Sequence, residues 1–430
     1  MSSSGRSADN AGGSRLARLG PALEVRDFRH LWGAALGWDI GEQMILLAIG
    51  WQVYDYHHKA LYLGLIGLAE FIPMLLLALP LGTVADRSSR RVLLTAAILI
   101  DVGVAGGLAV LSATGVTLLW PFLALAMVAG VAMALGSPAS RSLPPMLVPT
   151  GLVESAVTLR GASMYASTIL GPAAAGLLLV ISPVVTYSVS GAVMLVGAAL
   201  AWTMHFREAP GRLGTTGGSG RDLFAGLHFI RGTQVIFGAI LLDLVAVLFG
   251  GAVALLPLYA ASILHLGTVG LGILRSSASV GALIAAVVIT RTEIGERAGK
   301  KMLLAVGAFG VAVVVFGLSR SFPLSIVALA AAGFADMYSV NIRGTAIALA
   351  TPDSLRGRVT AVEMVFISGS NELGAFESGL AAALIGAVPA VVAGGALTIF
   401  FAAIWPRWFP GLARVNRLTD LAPEGEERAA

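Results

Sequence analysis

The 430-residue chain contains no cysteine, which excludes disulfides, thiolate metal centres and cysteine nucleophiles. Charge is scarce too. Asp, Glu, Lys and Arg make up 12% of the residues, against ~25% in a soluble globule. The sequence has no phosphate-cradling Gly-Lys-Ser/Thr motif, so ATP drive within the chain is not expected, and no nucleophile–base pair or metal motif that would make it an enzyme. Its basic runs lack interleaved aromatics, which excludes a nucleic-acid surface. Residues 1–28 are polar, carry Arg6, Arg15, Arg18 and Arg26, and read as a tail with no cleavable signal. Apolar residues, by contrast, are abundant. They form 57% of the chain, and the mean hydropathy is +0.86. Lipid is the solvent this composition suits.

Twelve apolar segments can be counted, approximately 30–56, 61–85, 92–113, 117–137, 155–180, 184–204, 233–258, 268–290, 301–318, 323–343, 358–384 and 387–405. Each can cross a ~30 Å hydrocarbon core as a helix rising 1.5 Å per residue. The loop Asp86-Arg87-Ser88-Ser89-Arg90-Arg91 is too charged to lie in lipid, and its three arginines mark a cytoplasmic face. Alternation from there puts both termini in the cytoplasm. Arg141, Arg160 and Arg343 then fall in cytoplasmic regions, and only Lys59, Arg320 and the intramembrane Arg275 depart from the cytoplasmic excess.

Composition also suggests the division of the chain. A tail, 1–28, leads into a six-helix bundle, 29–206. The Gly/Ser/Thr/Arg-rich stretch 207–231 reads as a cytoplasmic linker. A second six-helix bundle, 232–405, precedes a cytoplasmic tail, 406–430. The halves repeat. Asp39 and Asp243 are 204 residues apart. Gly67-Leu68-Ala69-Glu70 meets Gly272-Ile273-Leu274-Arg275 at an offset of 205, and Gly171-Pro172-Ala173-Ala174-Ala175-Gly176 meets Gly374-Ala375-Phe376-Glu377-Ser378-Gly379 at 203. Duplicated bundles related by an axis along the membrane normal describe a transporter with its site where the repeats meet.

The stretch Gly82-Thr83-Val84-Ala85-Asp86-Arg87-Ser88-Ser89-Arg90-Arg91 resembles the loop 2–3 signature of the major facilitator superfamily, departing at Val84 and Ser89. Gly171, Pro172 and Gly176 partially match the helix-five antiporter motif of that superfamily, whereas segment four lacks the arginine of many drug–proton antiporters. Phe28-Arg29-His30-Leu31-Trp32, Leu242-Asp243-Leu244, Arg356-Gly357-Arg358-Val359 and Ser370-Asn371-Glu372-Leu373-Gly374 are similar to the enterobactin-exporter and macrolide-efflux-like branch. The resemblance implies an all-α integral membrane protein of twelve transmembrane helices in two pseudo-symmetric six-helix bundles. It also implies that Gly82, Asp86, Arg87, Arg90 and Arg91 form a cytoplasmic gate.

Ionisable groups within the segments are the candidate site, because a charge at mid-bilayer costs ~2.5–3.5 kcal/mol on insertion scales. Asp39, Glu70, Asp243 and Arg275 lie roughly 12–15 Å into their helices. Asp39, Glu42 and Gln43 share a face at i, i+3, i+4, and carboxylates one turn apart suit a proton carrier. Glu70 and Arg275 sit at matching places in the two halves, either as a pair that opens during transport or as permanent structure. Asp336, Asn371, Glu372 and Glu377 join the candidate cavity set. Asp101 reads as structural, and Trp32, Trp51, Tyr54, Trp202 and Trp405 as interface anchors. The expectation is proton-driven export of a small amphiphilic molecule, a drug or siderophore-like compound, by a monomer in the plasma (inner) membrane, with no cofactor. The alternative is a cation or metal-ion transporter with Asp39, Glu42 and Asp243 as ligands.

Overall fold

The computed structural model describes residues 20–205, 220–292 and 294–421; within its helices, the side chains of 78–87, 221–225, 353, 354, 361 and 368 lie outside the described set. Among the described residues, twelve long helices follow one another: α1 Arg26–His57, α2 Ala60–Arg87, α3 Arg90–Ala113, α4 Leu119–Ser142, α5 Val153–Leu178, α6 Pro183–Trp202, α7 Gln234–Phe249, α8 Thr268–Arg291, α9 Ala298–Leu318, α10 Phe322–Ala350, α11 Asp353–Ile385 and α12 Ala387–Trp408. A shorter helix, Gly220–Gly232, precedes α7. An α-helix satisfies its own backbone groups, which is what lipid demands of any spanning segment.

Nine spans among the described residues are apolar enough to cross a membrane by length and composition, and they fall on every long helix except α1, α5 and α11. The three exceptions carry internal charge: Asp39 and Glu42 on α1, Arg160 on α5, and Glu363, Glu372 and Glu377 on α11. The protein is an all-helical, multi-pass membrane protein of twelve helices in two six-helix bundles.

Contacts gather the chain into two compact units, Met1–Ile49 with Ile72–Gly214 and Gly50–Phe71 with Thr215–Ala430. The end of α1 and the first half of α2 thus group with the helices of the second sequence half.

In the first unit, Gly33, Gly37 and Gly41 form a stripe at four-residue spacing on α1. A Cβ at Gly37 would lie 3.1 Å from the Val193 carbonyl, and one at Gly41 would strike Met194, so α1 and α6 meet nearly backbone to backbone. Ser190 donates to the Gly41 carbonyl across this contact at 2.8 Å. Phe28, Leu31, Leu94, Ile98 and Met194 fill the core around it.

In the second unit, α8 packs on α10 through Gly281 and Gly333, each against a backbone carbonyl of the other helix. Gly310 and Gly395 do the same between α9 and α12. Leu242, Met302, Val306, Ile342 and Trp405 form its core. One expected segment is broken. Where 233–258 reads as a single run, α7 ends at Phe249, and a 3-10 turn (Ala252–Leu255), Leu256–Leu258 and a π-turn (Tyr259–Ile263) continue it. The break lies at Gly250-Gly251, where a Cβ on Gly251 would stand 2.8 Å from the Gly374 carbonyl of α11. Gly386, at φ 91, turns the chain between α11 and α12 in a conformation that side-chain-bearing residues rarely adopt.

Two interface-anchor assignments change. Trp202 is 60% exposed, as an anchor would be, but Trp405 is 1% exposed and donates through Nε1 to the Gly238 carbonyl at 3.0 Å. Tyr54 is also buried, its hydroxyl 2.7 Å from Ser262 Oγ. Nearness to a segment end does not distinguish a lipid-facing ring from one turned into the bundle.

Candidate functional site

The first unit holds a polar cluster on α1, α4 and α5. Asp39 takes a two-pronged contact from the Arg160 guanidinium, at 2.6 Å from Nη1 and 3.2 Å from Nη2. The same two nitrogens lie 3.3 Å from Ser163 Oγ and 3.3 Å from Ser140 Oγ. Arg160 Nε is buried without a hydrogen-bond partner among the described residues. Sequence reading counted Arg160, near the start of the segment 155–180, with the cytoplasmic positive charge. It stands in the third turn of α5, which begins at Val153, with its charge answered by Asp39.

Neighbouring side chains fix this geometry. Trp38 Nε1 donates to Asp101 Oδ2 on α3 at 2.6 Å. Its ring fits because Gly136 of α4 is bare; a Cβ there would meet both the indole and Ala97. Asp101 therefore acts in packing. On the facing side Gly171 of α5 admits α1, since its Cβ would fall 2.5 Å from Gln43 Cβ and 3.0 Å from the Ile40 carbonyl. Of the helix-five motif, Gly171, Pro172 and Gly176 are all buried, with Pro172 inside the helix. Glu42, one turn from Asp39, is half-buried.

The second unit holds the matching cluster. Asp243 of α7 is ion-paired with Arg343 Nη1 of α10. Glu363 Oε1 of α11 lies 3.8 Å from Arg343 Nε, and that Nε is also buried without a hydrogen-bond partner among the described residues. Arg343, likewise counted with the cytoplasmic positive charge, is 4% exposed. α10 runs on to Ala350 and so keeps residue 343 inside the helix.

The clusters correspond position by position, with one exchange of charge. Asp243 lies 204 residues after Asp39, Glu363 lies 203 after Arg160, and Arg343 lies 203 after Ser140. The cation on helix five of the first unit is thus replaced by a carboxylate on helix eleven, and the hydroxyl on helix four by a cation on helix ten. Glu363 was missed in the sequence, although the 203-residue offset already linked it to Arg160.

A third group lies within the second unit. Glu70, Glu372 and Arg275 stand within one another's electrostatic reach. Glu372 approaches α2 where Gly67 is bare, its Oε2 2.7 Å from the position a Cβ would take. Gly64 and Gly379 bring α2 and α11 together one turn further along. Arg275 therefore faces two carboxylates, where the sequence matched it with Glu70 alone. Asp336 and Glu377 are half-buried and Asn371 is exposed. None of these three joins a cluster just described.

In the expected gate, Arg90 Nη1 lies 2.8 Å from Met146 Sδ, and Arg91 donates to the Met204 carbonyl at 2.6 Å while lying 5.3 Å from the Trp202 ring centre. Gly82, Asp86 and Arg87 lie outside the residues whose side chains are described. Among the described residues no three His, Asp or Glu side chains are grouped to hold a metal ion.

The chain is a membrane transporter of the major facilitator type. More narrowly, the family model of the transmembrane secretion effectors matches residues 18–413, and the chain belongs to that family. No curated protein sequence matches it. Among solved structures it is similar to a bacterial homologue of the human lysosomal transporter Spinster, at TM-score 0.71 and 11% identity over 91% of this chain and 97% of that one. A mutant of the nucleoside transporter NupG gives TM-score 0.70 and 14% identity over 89% and 100%. A bacterial homologue of the iron transporter ferroportin gives 0.67 and 14% over 90% and 99%. Their cargoes differ widely, so the likeness extends to the fold alone.

Proposed function

We propose that this protein exports a small amphiphilic molecule, a drug or siderophore-like compound, across the plasma (inner) membrane by alternating access, driven by inward proton movement. The secretion-effector family supports export. The Asp39–Arg160 and Asp243–Arg343 pairs carry the reading furthest, since ionisable groups this deep in apolar helices are retained mainly where a transport cycle uses them. In this reading both termini are cytoplasmic, the protein works as a monomer without a cofactor, and Arg90 and Arg91 belong to the cytoplasmic gate.

Cation transport, with Asp39, Glu42 and Asp243 as ligands, is the weaker reading. A guanidinium already occupies the carboxylates of Asp39 and Asp243, and a metal would have to displace it.

Purified protein in liposomes, tested with ethidium, a macrolide, a hydroxamate siderophore and divalent cations, separates the two. Export predicts organic-cargo movement that follows an imposed pH gradient and stops when the gradient is collapsed. Saturable Mn2+ or Fe2+ uptake with no organic-cargo movement overturns it.

A further inference from the structure

The two corresponding clusters do not carry the same net charge. In the first, one carboxylate meets one guanidinium, which also reaches the hydroxyls of Ser140 and Ser163, and a second cation, Arg141 of α4, lies within electrostatic reach of Arg160. In the second, Asp243 and Glu363 share a single guanidinium. With both acids ionised, the second cluster holds one more negative than positive charge inside an apolar bundle. Leaving a buried charge unmatched costs several kcal/mol. The second cluster therefore calls for one further positive charge.

The geometry indicates where that charge goes. Asp243 is in direct contact with Arg343, whereas Glu363 stands 3.8 Å from Arg343 Nε, beyond hydrogen-bond length, although that N–H is buried with no acceptor. An ionised carboxylate beside an unmet guanidinium N–H closes to about 2.7–2.9 Å. Glu363 is thus the less tightly held of the two acids, and a shift of about 1 Å would bring it to hydrogen-bond length. His228 and Arg231 of the Gly220–Gly232 helix and Arg407 of α12 are exposed, as are Arg356 and Arg358 on α11 itself, while Glu70 and Arg275 face Glu372 more than two turns further along.

We infer that Glu363 is the proton-exchanging group of the second cluster, binding one proton when its carboxylate stands off Arg343 and releasing it to water when the Nε–H bond forms. The inference rests on the proton-driven export proposed above and names the residue that couples it. The step balances as one proton taken from water by one carboxylate and returned to water, with no other bond changed.

Infrared difference spectroscopy of the full chain in lipid nanodiscs, stepped between acid and alkaline buffer without cargo, tests it directly. A protonated carboxyl gives a C=O band separate from the amide bands. The expected result is loss of one such band in Glu363→Gln, its retention at a shifted frequency in Glu363→Asp, and its full retention in Asp39→Asn. An unchanged spectrum in Glu363→Gln overturns the inference, and so does loss of the band in Glu363→Asp as well, which would indicate collapse of the site. Ethidium movement in liposomes keeps the two failures apart. A Glu363-dependent band with export indifferent to the pH gradient sinks the antiport reading and leaves the assignment standing. Gradient-driven export with the band intact in Glu363→Gln does the reverse.

Discussion

Gly171 of α5 is bare at the point where Gln43 leaves α1, and the equivalent Gly374 of α11 is bare where the Val247 backbone of α7 passes. One close helix crossing is thus repeated in both units, beside each charged cluster. A methyl group at Gly171 would fall 2.5 Å from Gln43 Cβ, and at Gly374 2.7 Å from the Val247 carbonyl. Gly171→Ala and Gly374→Ala should each cost about 1–3 kcal/mol through overpacking. Gly161→Ala, on the same α5 but with nothing within 4 Å, should cost nothing. Thermal unfolding in detergent distinguishes the three; equal midpoints for Gly161→Ala and Gly171→Ala would refute the crossing.

The Asp39–Arg160 pair should behave as a buried pair does. Arg160→Gln leaves Asp39 unanswered and should lose about 3–5 kcal/mol, whereas Asp39→Asn/Arg160→Gln should recover much of that loss. A thermodynamic cycle on the four proteins measures it. Strict additivity would mean that the two side chains do not act together.

Arg275 faces Glu70 and Glu372 together, so removing it should do more harm than removing either acid. The expected order of folded yield is wild type, then Glu372→Gln, then Arg275→Gln. Arg275→Gln/Glu372→Gln should fall above Arg275→Gln alone. Gel-filtration yield after mild heating gives the ranking, and a double variant no better than Arg275→Gln would contradict the grouping.

Trp38 reaches Asp101 only because Gly136 leaves room for its indole. Gly136→Val should therefore be far more damaging than Asp101→Asn, which keeps an acceptor for the indole N–H. If Asp101 acts only in packing, Asp101→Asn should leave ethidium export in liposomes within about twofold of wild type, the span of a few tenths of a kcal/mol. A tenfold loss of export in a well-folded Asp101→Asn would move Asp101 into the transport machinery.

Hydropathy, loop charge and the repeat offsets were enough to read twelve membrane helices and two related halves from the chain itself, because lipid leaves an apolar helix as nearly the only solution for a spanning segment. The same reasoning located Asp39, Asp243, Glu70 and Arg275, since a charge in an apolar run stands out wherever it lies. It matched Glu70 with Arg275 but could not assign the partners of Asp39 and Asp243. Arg160 and Arg343 look like part of the cytoplasmic positive excess when read linearly, and Glu363 looks like one polar residue among several. Pairing depends on where each helix starts, on which face it turns inward and on which glycines let two backbones approach. Those are properties of packing between helices distant in sequence, and only the tertiary structure decided them.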